Sequence, residues 1–172
     1  MICEQGVADT SDPMAAEPGR RALRVGVVGA GFFSQFHLEG WQTLADAEVV
    51  AICDRDFVRA QTLAQRFGVG ACYGDVRAMF AEQSLDLLDI VTGPDTHADL
   101  VLHAHEQGLP VICQKPFAGG LRGARALCER LDVHGPAVVV HENFRFSPWY
   151  REIATWIRDG RLVLQWRLPA FI

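Results

Sequence analysis

The chain predicts an α/β fold, a doubly wound parallel sheet, and three observations carry that expectation. From Leu23 onward short apolar, β-branched runs alternate with segments of helical period, the pattern of parallel strands buried on both faces. The first run, Leu23-Arg24-Val25-Gly26-Val27-Val28, passes directly into Gly29-Ala30-Gly31-Phe32-Phe33-Ser34, a glycine turn that opens a helix. The second run, Glu48-Val49-Val50-Ala51-Ile52-Cys53, ends in Asp54, 23 positions after Gly31.

The order strand, glycine turn, helix is what a nucleotide phosphate site requires. Gly29 permits the sharp turn. Gly31 lets the backbone come close to a pyrophosphate with no Cβ in the way. The helix beginning near Phe32 aims its free N–H groups and positive dipole end at the phosphates, which places Phe32 and Phe33 with the cofactor site. Ser34 stands where a third glycine is usual and is small enough for close helix–strand packing. Asp54 alone reads as a helix N-cap or a solvated turn residue; paired with the glycine turn, it is placed to hold the hydroxyls of an adenosine ribose. Its carboxylate repels a 2′-phosphate and so favours NAD, while Arg55 offers a partner for the extra phosphate of NADP should Asp54 swing away. The expected cofactor is NAD or NADP, with NAD slightly ahead.

Taken in order, strands are expected at 23–28, 48–53, 70–73, 86–92, 109–113 and 137–141. Helices are expected at 32–45, 56–67, 75–83, 96–107, 120–132 and 148–159. Gly68, Gly108 and Gly160 stand at C-cap positions, and Ser147-Pro148 reads as an N-cap followed by proline at the first helical position. Residues 1–21, rich in Ala, Gly, Pro, Asp and Glu and without period, read as a disordered leader.

Ligands of open α/β sheets bind beyond the carboxyl ends of the strands, which puts Thr92, Pro94 and His97 on the ligand side after the fourth strand. His97 reads equally as a first-turn helix residue bonding its own loop or as a cofactor contact. The fifth strand runs into Gln114-Lys115-Pro116. Lys115 is either a surface lysine in a turn or a group that hydrogen-bonds a substrate hydroxyl or the nicotinamide ribose and assists proton movement. His103 and His105 are two apart on a helix, face different ways and make no metal pair; no metal site is expected.

Composition narrows the function class. A chain of 172 residues with 49% apolar and 22% charged residues has enough material for one well-formed core. Net charge −5 with no Lys/Arg stripe excludes a nucleic-acid footprint. No apolar run reaches the ~18 residues needed to span a bilayer, and the N-terminus lacks the basic and apolar stretches of a secretory signal. Five scattered cysteines argue against a disulfide framework, so the cytoplasm is the expected compartment. A methyltransferase would also use a glycine turn, but it usually carries an acidic residue before the glycines, where Val27-Val28 stand, and has no use for Lys115-Pro116.

These pieces together resemble the N-terminal half of the glucose–fructose oxidoreductase / inositol dehydrogenase / rhizopine-catabolism (Gfo/Idh/MocA) family. The resemblance runs from about Leu23 to Arg161. It rests on Gly29-x-Gly31-x-x-Ser34, on Cys53-Asp54, on Thr92-Gly93-Pro94-x-x-His97, on Gln114-Lys115-Pro116 and on His141-Glu142-Asn143-Phe144-Arg145-Phe146-Ser147-Pro148. It implies a Rossmann dinucleotide-binding domain over 22–146 and nicotinamide-dependent hydride transfer on a sugar, polyol or related hydroxyl compound. In that scheme Lys115 is the catalytic residue beside the nicotinamide, and Asn143 lies close to the active-site face. A dinucleotide-binding module without catalysis would use the same binding residues.

Two departures from the family pattern stand out. Gln114 replaces the usual Glu before Lys-Pro, which keeps the hydrogen-bonding shape but removes an anionic neighbour of Lys115. The family also carries a C-terminal substrate domain on an open sheet. Here 147–172 read as the crossover helix and first strand of such a domain, truncated, the strand falling on Leu162–Leu168. An exposed strand of that kind calls for a partner, so homo-oligomerisation or pairing through 162–172 is expected.

Overall fold

The computed structural model describes residues 21–162. Its parallel strands are β1 (Leu23–Val28), β2 (Ala47–Cys53), β3 (Ala71–Tyr73), β4 (Leu87–Ile90), β5 (Val111–Gln114) and β6 (Val138–His141). They lie in the order β3-β2-β1-β4-β5-β6 in a single sheet. The chain therefore starts at the centre, winds outward to one edge, and returns to wind outward to the other. That reversal falls between β1 and β4, the crevice where ligands of such sheets bind.

The helices are α1 (Ser34–Gln42), α2 (Phe57–Phe67), α3 (Val76–Glu82), α4 (Pro94–Glu106), α5 (Leu121–Arg130) and α6 (Pro148–Arg158), with a 3-10 turn at Asn143–Phe146. Alternation along β1 divides the core in two. Val25 and Val27 pack with Leu38 of α1 and Ala60, Leu63 and Ala64 of α2. Val28 shares the other layer with Met79, Leu88, Ile90, Val101, Leu102 and Leu127, from α3, β4, α4 and α5. Burying both faces explains why the central strands read as near-continuous apolar runs.

The element boundaries differ from expectation where local chemistry intervenes. Helix α1 starts at Ser34, because the Gly29–Gly31 turn keeps Phe32 and Phe33 outside it. It ends at Gln42, where Thr43 donates its amide and its hydroxyl to the Gly40 carbonyl (3.1 and 2.7 Å). Helix α4 starts two residues earlier than expected, with Pro94 at its first position. Ser147 precedes α6 as expected, but its hydroxyl makes no cap bond. The Asp56 side chain does cap α2, accepting from the Arg59 amide at 3.3 Å. Gly68, in the left-handed region (φ 71°), closes that helix. Residues 1–20 and the expected strand beyond Leu162 lie outside the described residues.

The leader boundary also moves. Arg21, assigned to the leader, makes a bidentate pair with Asp86 at 2.6 Å on each arm, and the Arg24 amide donates to the same carboxylate at 2.8 Å. The Arg21 hydrogen bond, with the Arg24 amide, holds the Asp86 carboxyl down at about 2. A carboxylate lowered on folding stabilises the native state above its ordinary titration range, and that contribution is lost as pH falls through the folded value. We expect Asp86→Asn to leave acid unfolding less steep between pH 4 and pH 2 than in the unaltered chain, measured by circular dichroism; identical acid transitions would contradict the assignment.

Candidate functional site

The crevice at the carboxyl ends of β1, β2 and β4 is built by backbone first. Gly29 has φ 109°, and a Cβ there would lie 2.5 Å from the Val91 carbonyl oxygen. Only glycine accommodates both conditions. Its amide donates to the Cys53 carbonyl at 2.7 Å, tying the turn to the end of β2. A Cβ on Gly31, by contrast, would meet nothing within 4 Å. One glycine is required by the protein itself; the other opens onto space.

Asp54 secures the same turn. Its Oδ2 accepts from the Ala30 amide at 2.6 Å and its Oδ1 from the Asp56 amide at 2.8 Å. The carboxylate is thereby fixed at the head of the crevice, with lone pairs left for further donors. Behind the turn Ser34 is fully buried, and its Oγ has no hydrogen-bond partner among the described residues. A cavity of about 520 Å³ follows this surface, lined by Gly29, Gly31, Asp54, Arg55, Thr92 and Gly93. That volume is within the range of small-molecule and cofactor sites. Cys53 also borders it, but burial, reinforced by Asp75 and Asp54, pushes its thiol up to about 12, so it remains an unreactive thiol.

Not every expected site residue faces this cavity. His97 is fully buried, with Nδ1 3.0 Å from the Pro116 carbonyl and Nε2 3.0 Å from the Thr92 carbonyl. One ring N–H donates to one of these carbonyls and the other nitrogen lies against the second, so His97 ties the loop after β4 to the loop after β5. Pro94 starts α4, and Phe32 is 75% exposed in an edge-to-face cluster with Phe33 and Phe36.

Gln114, Lys115 and Asn143 gather around β5 and β6. Lys115 extends its Nζ over the Phe144 ring, 4.9 Å from the centroid, a cation–π contact. Its amide donates to Gln114 Oε1 at 2.7 Å. Asn143 lines a second cavity of about 320 Å³ together with Phe33, His37, Trp41, Asp89 and His141. Burial, then the neighbouring His37, draws His141 below the ordinary histidine range. His37, Trp41 and Asp89 were not singled out in the sequence. The one signal was a carboxylate, Asp89, inside the apolar run Leu87–Val91, where a buried charge demands partners. Among the described residues no group of three or more His, Cys, Asp or Glu could hold a metal ion.

The fold and crevice define the class: a dinucleotide-type Rossmann domain with its glycine turn and acidic residue at the switch point. Residues 23–142 match the model of the oxidoreductase family with an NAD-binding Rossmann fold (GFO_IDH_MocA), and the chain belongs to that family. It is 40% identical over 136 residues to D-apiose dehydrogenase of Paraburkholderia graminis, covering 79% of this chain and 36% of that protein. It is 31% identical over 144 residues to inositol 2-dehydrogenase of Acidothermus cellulolyticus, covering 83% and 42%. Among solved structures, an oxidoreductase from Agrobacterium radiobacter in complex with NAD+, L-tartaric acid and magnesium superposes with a TM-score of 0.75 at 35% identity, covering 80% of this chain and 40% of the other. The chain thus spans about two fifths of the length of the relatives it matches. No helix among the described residues is long and apolar enough to cross a membrane.

Proposed function

We propose that this chain is the NAD-binding half of a dehydrogenase acting on a sugar, polyol or related hydroxyl compound. The observation that carries the reading is the contrast at the glycine turn. Gly29 is locked against Val91, while Gly31 leaves open space beside the cavity and below the fixed Asp54. The residues fit a dinucleotide. Gly31 and the N-terminus of α1, with the amides of Phe32 and Phe33, would hold the pyrophosphate; Asp54 would hold the adenosine ribose, with Arg55 and Thr92 along the walls.

Both Asp54 oxygens are held by backbone amides, which stops the carboxylate from swinging aside to let Arg55 reach a 2′-phosphate. That supports NAD over NADP. A bound nicotinamide dinucleotide supplies hydride acceptance or donation. Lys115 holds and moves a proton at its Nζ, and Gln114 and Asn143 support the rim around it. The match to dehydrogenases named for D-apiose and inositol supports the substrate class. The free cysteines Cys53, Cys72, Cys113 and Cys128 support a reducing compartment, the cytoplasm. Exposed apolar side chains on β6 and α6, Val139 and Trp149 among them, support self-association.

Joined to the length of D-apiose dehydrogenase that it does not match, the chain incubated with NAD+ and a panel of branched and straight aldoses and inositols should produce NADH from at least one of them. Lys115→Ala should slow that turnover by about a hundredfold or more, the scale of lost acid–base assistance. Turnover indifferent to Lys115→Ala would overturn the role given to the lysine. NADH binding with no turnover of any panel member would leave a dinucleotide-binding module in place of the dehydrogenase.

A further inference from the structure

We infer that Asp89 and His37 are positioning residues for Lys115, acting through Gln114 by a fixed sequence of donors and acceptors. This rests on the proposed function only in making Lys115 the group whose placement matters.

The side chains of Asp89 and His37 are 1% and 6% exposed. Asp89 Oδ2 lies 2.9 Å from His37 Nδ1 and 2.8 Å from Trp41 Nε1. An indole nitrogen only donates, so Asp89 is an acceptor to both, and His37 carries its proton on Nδ1. The other ring nitrogen, Nε2, then presents a lone pair to Gln114 Nε2 at 3.1 Å. The second amide hydrogen of Gln114 faces His141 Nδ1 at 3.5 Å, which assigns the lone pair of a neutral His141 to Nδ1 and its proton to Nε2. With its NH₂ held by two imidazoles, Gln114 has one orientation left. Its Oε1 faces the Lys115 amide, 2.7 Å away. A carboxylate in β4 thereby sets which way an amide in β5 points, and that amide holds the backbone of Lys115.

The same logic ties residue 89 to residue 114. In Asp89→Asn, Trp41 Nε1–H holds the amide oxygen at the Oδ2 position, and the new NH₂ takes the Oδ1 position, 3.1 Å from His37 Nδ1. His37 must then accept on Nδ1 and carry its proton on Nε2. That proton turns Gln114 around, and the Lys115 amide loses its acceptor. Adding Gln114→Glu repairs the chain, because a carboxylate accepts from His37 Nε2–H and from the Lys115 amide together. Gln114→Glu alone sets His37 between two carboxylates, with His141, Glu142 and Lys115 the other titratable groups facing this cluster. His37 should then hold both protons.

The test uses the ¹⁵N-labelled full chain without cofactor, reading histidine ring-nitrogen spectra and hydrogen exchange of the Lys115 amide. The expected result is His37 protonated on Nδ1 and His141 on Nε2. Asp89→Asn should move the His37 proton to Nε2 and speed Lys115 exchange about tenfold, the factor matching one hydrogen bond of ordinary net strength. Exchange should return to the starting rate in Asp89→Asn with Gln114→Glu. Gln114→Glu alone should give a doubly protonated His37, which decides the matter even if Asp89→Asn does not fold. His37 protonated on Nε2 in the unaltered chain, unchanged Lys115 exchange in folded Asp89→Asn, or no recovery in the double variant would overturn the inference. A chain that passes these tests but binds no NADH would instead overturn the cofactor reading.

Discussion

Gly29→Ala is expected to destabilise the domain by about 3 kcal/mol, combining ~1–2 kcal/mol for left-handed backbone at a non-glycine residue with ~1–3 kcal/mol for overpacking. The cause is specific. At φ 109° the new Cβ would sit 2.5 Å from the Val91 carbonyl oxygen and 3.1 Å from the Thr92 nitrogen. Those atoms belong to the backbone at the end of β4, which cannot yield as a flexible side chain does. The Gly29 amide bond to Cys53 ties the turn to β2 as well, so a shift there strains three strands at once. Thermal unfolding should fall by roughly 10 °C at this domain size. A melting temperature within a degree or two of the unaltered chain would contradict the geometry.

Gly31→Trp is expected to do the reverse. Nothing lies within 4 Å of the new Cβ, so stability should change by no more than about 0.5 kcal/mol, as for a surface substitution. The indole would instead fill the space left for a pyrophosphate. NADH affinity should drop at least about a hundredfold, or ~2.7 kcal/mol. Paired, the two variants separate a glycine the fold needs from a glycine the ligand needs. A Gly31→Trp chain that melts normally and binds NADH normally would remove the turn from the site.

Much of this was legible in the sequence because it is local. The strand–glycine–helix junction, the Asp54 position and the alternation of strands and helices all follow from short-range periodicity and turn chemistry. The turn at Gly29 was readable too, from a glycine directly after an apolar strand. Burial was not. His97 sits in a loop motif that suggests a ligand contact, yet its nitrogens lie 3.0 Å from backbone carbonyls of two different loops, and its approach to Pro116, 19 residues on, is one that spacing does not reveal. The Asp89–His37–Trp41–Gln114–His141 cluster joins β4, α1, β5 and β6. No local pattern links those positions, and only the carboxylate within an apolar strand hinted that partners would come from elsewhere. The helix ends shifted for equally local reasons: a hydroxyl at Thr43 and a proline at position 94.

Binding of NAD in the crevice is best checked by titrating the folded chain with NADH, then NADPH, and following energy transfer from Trp41, Trp149, Trp156 and Trp166 to the reduced nicotinamide. The expected result is saturable transfer with NADH, weaker binding of NADPH, and loss of transfer in Gly31→Trp. A soluble, cooperatively melting chain that shows no saturable transfer with either nucleotide would contradict it.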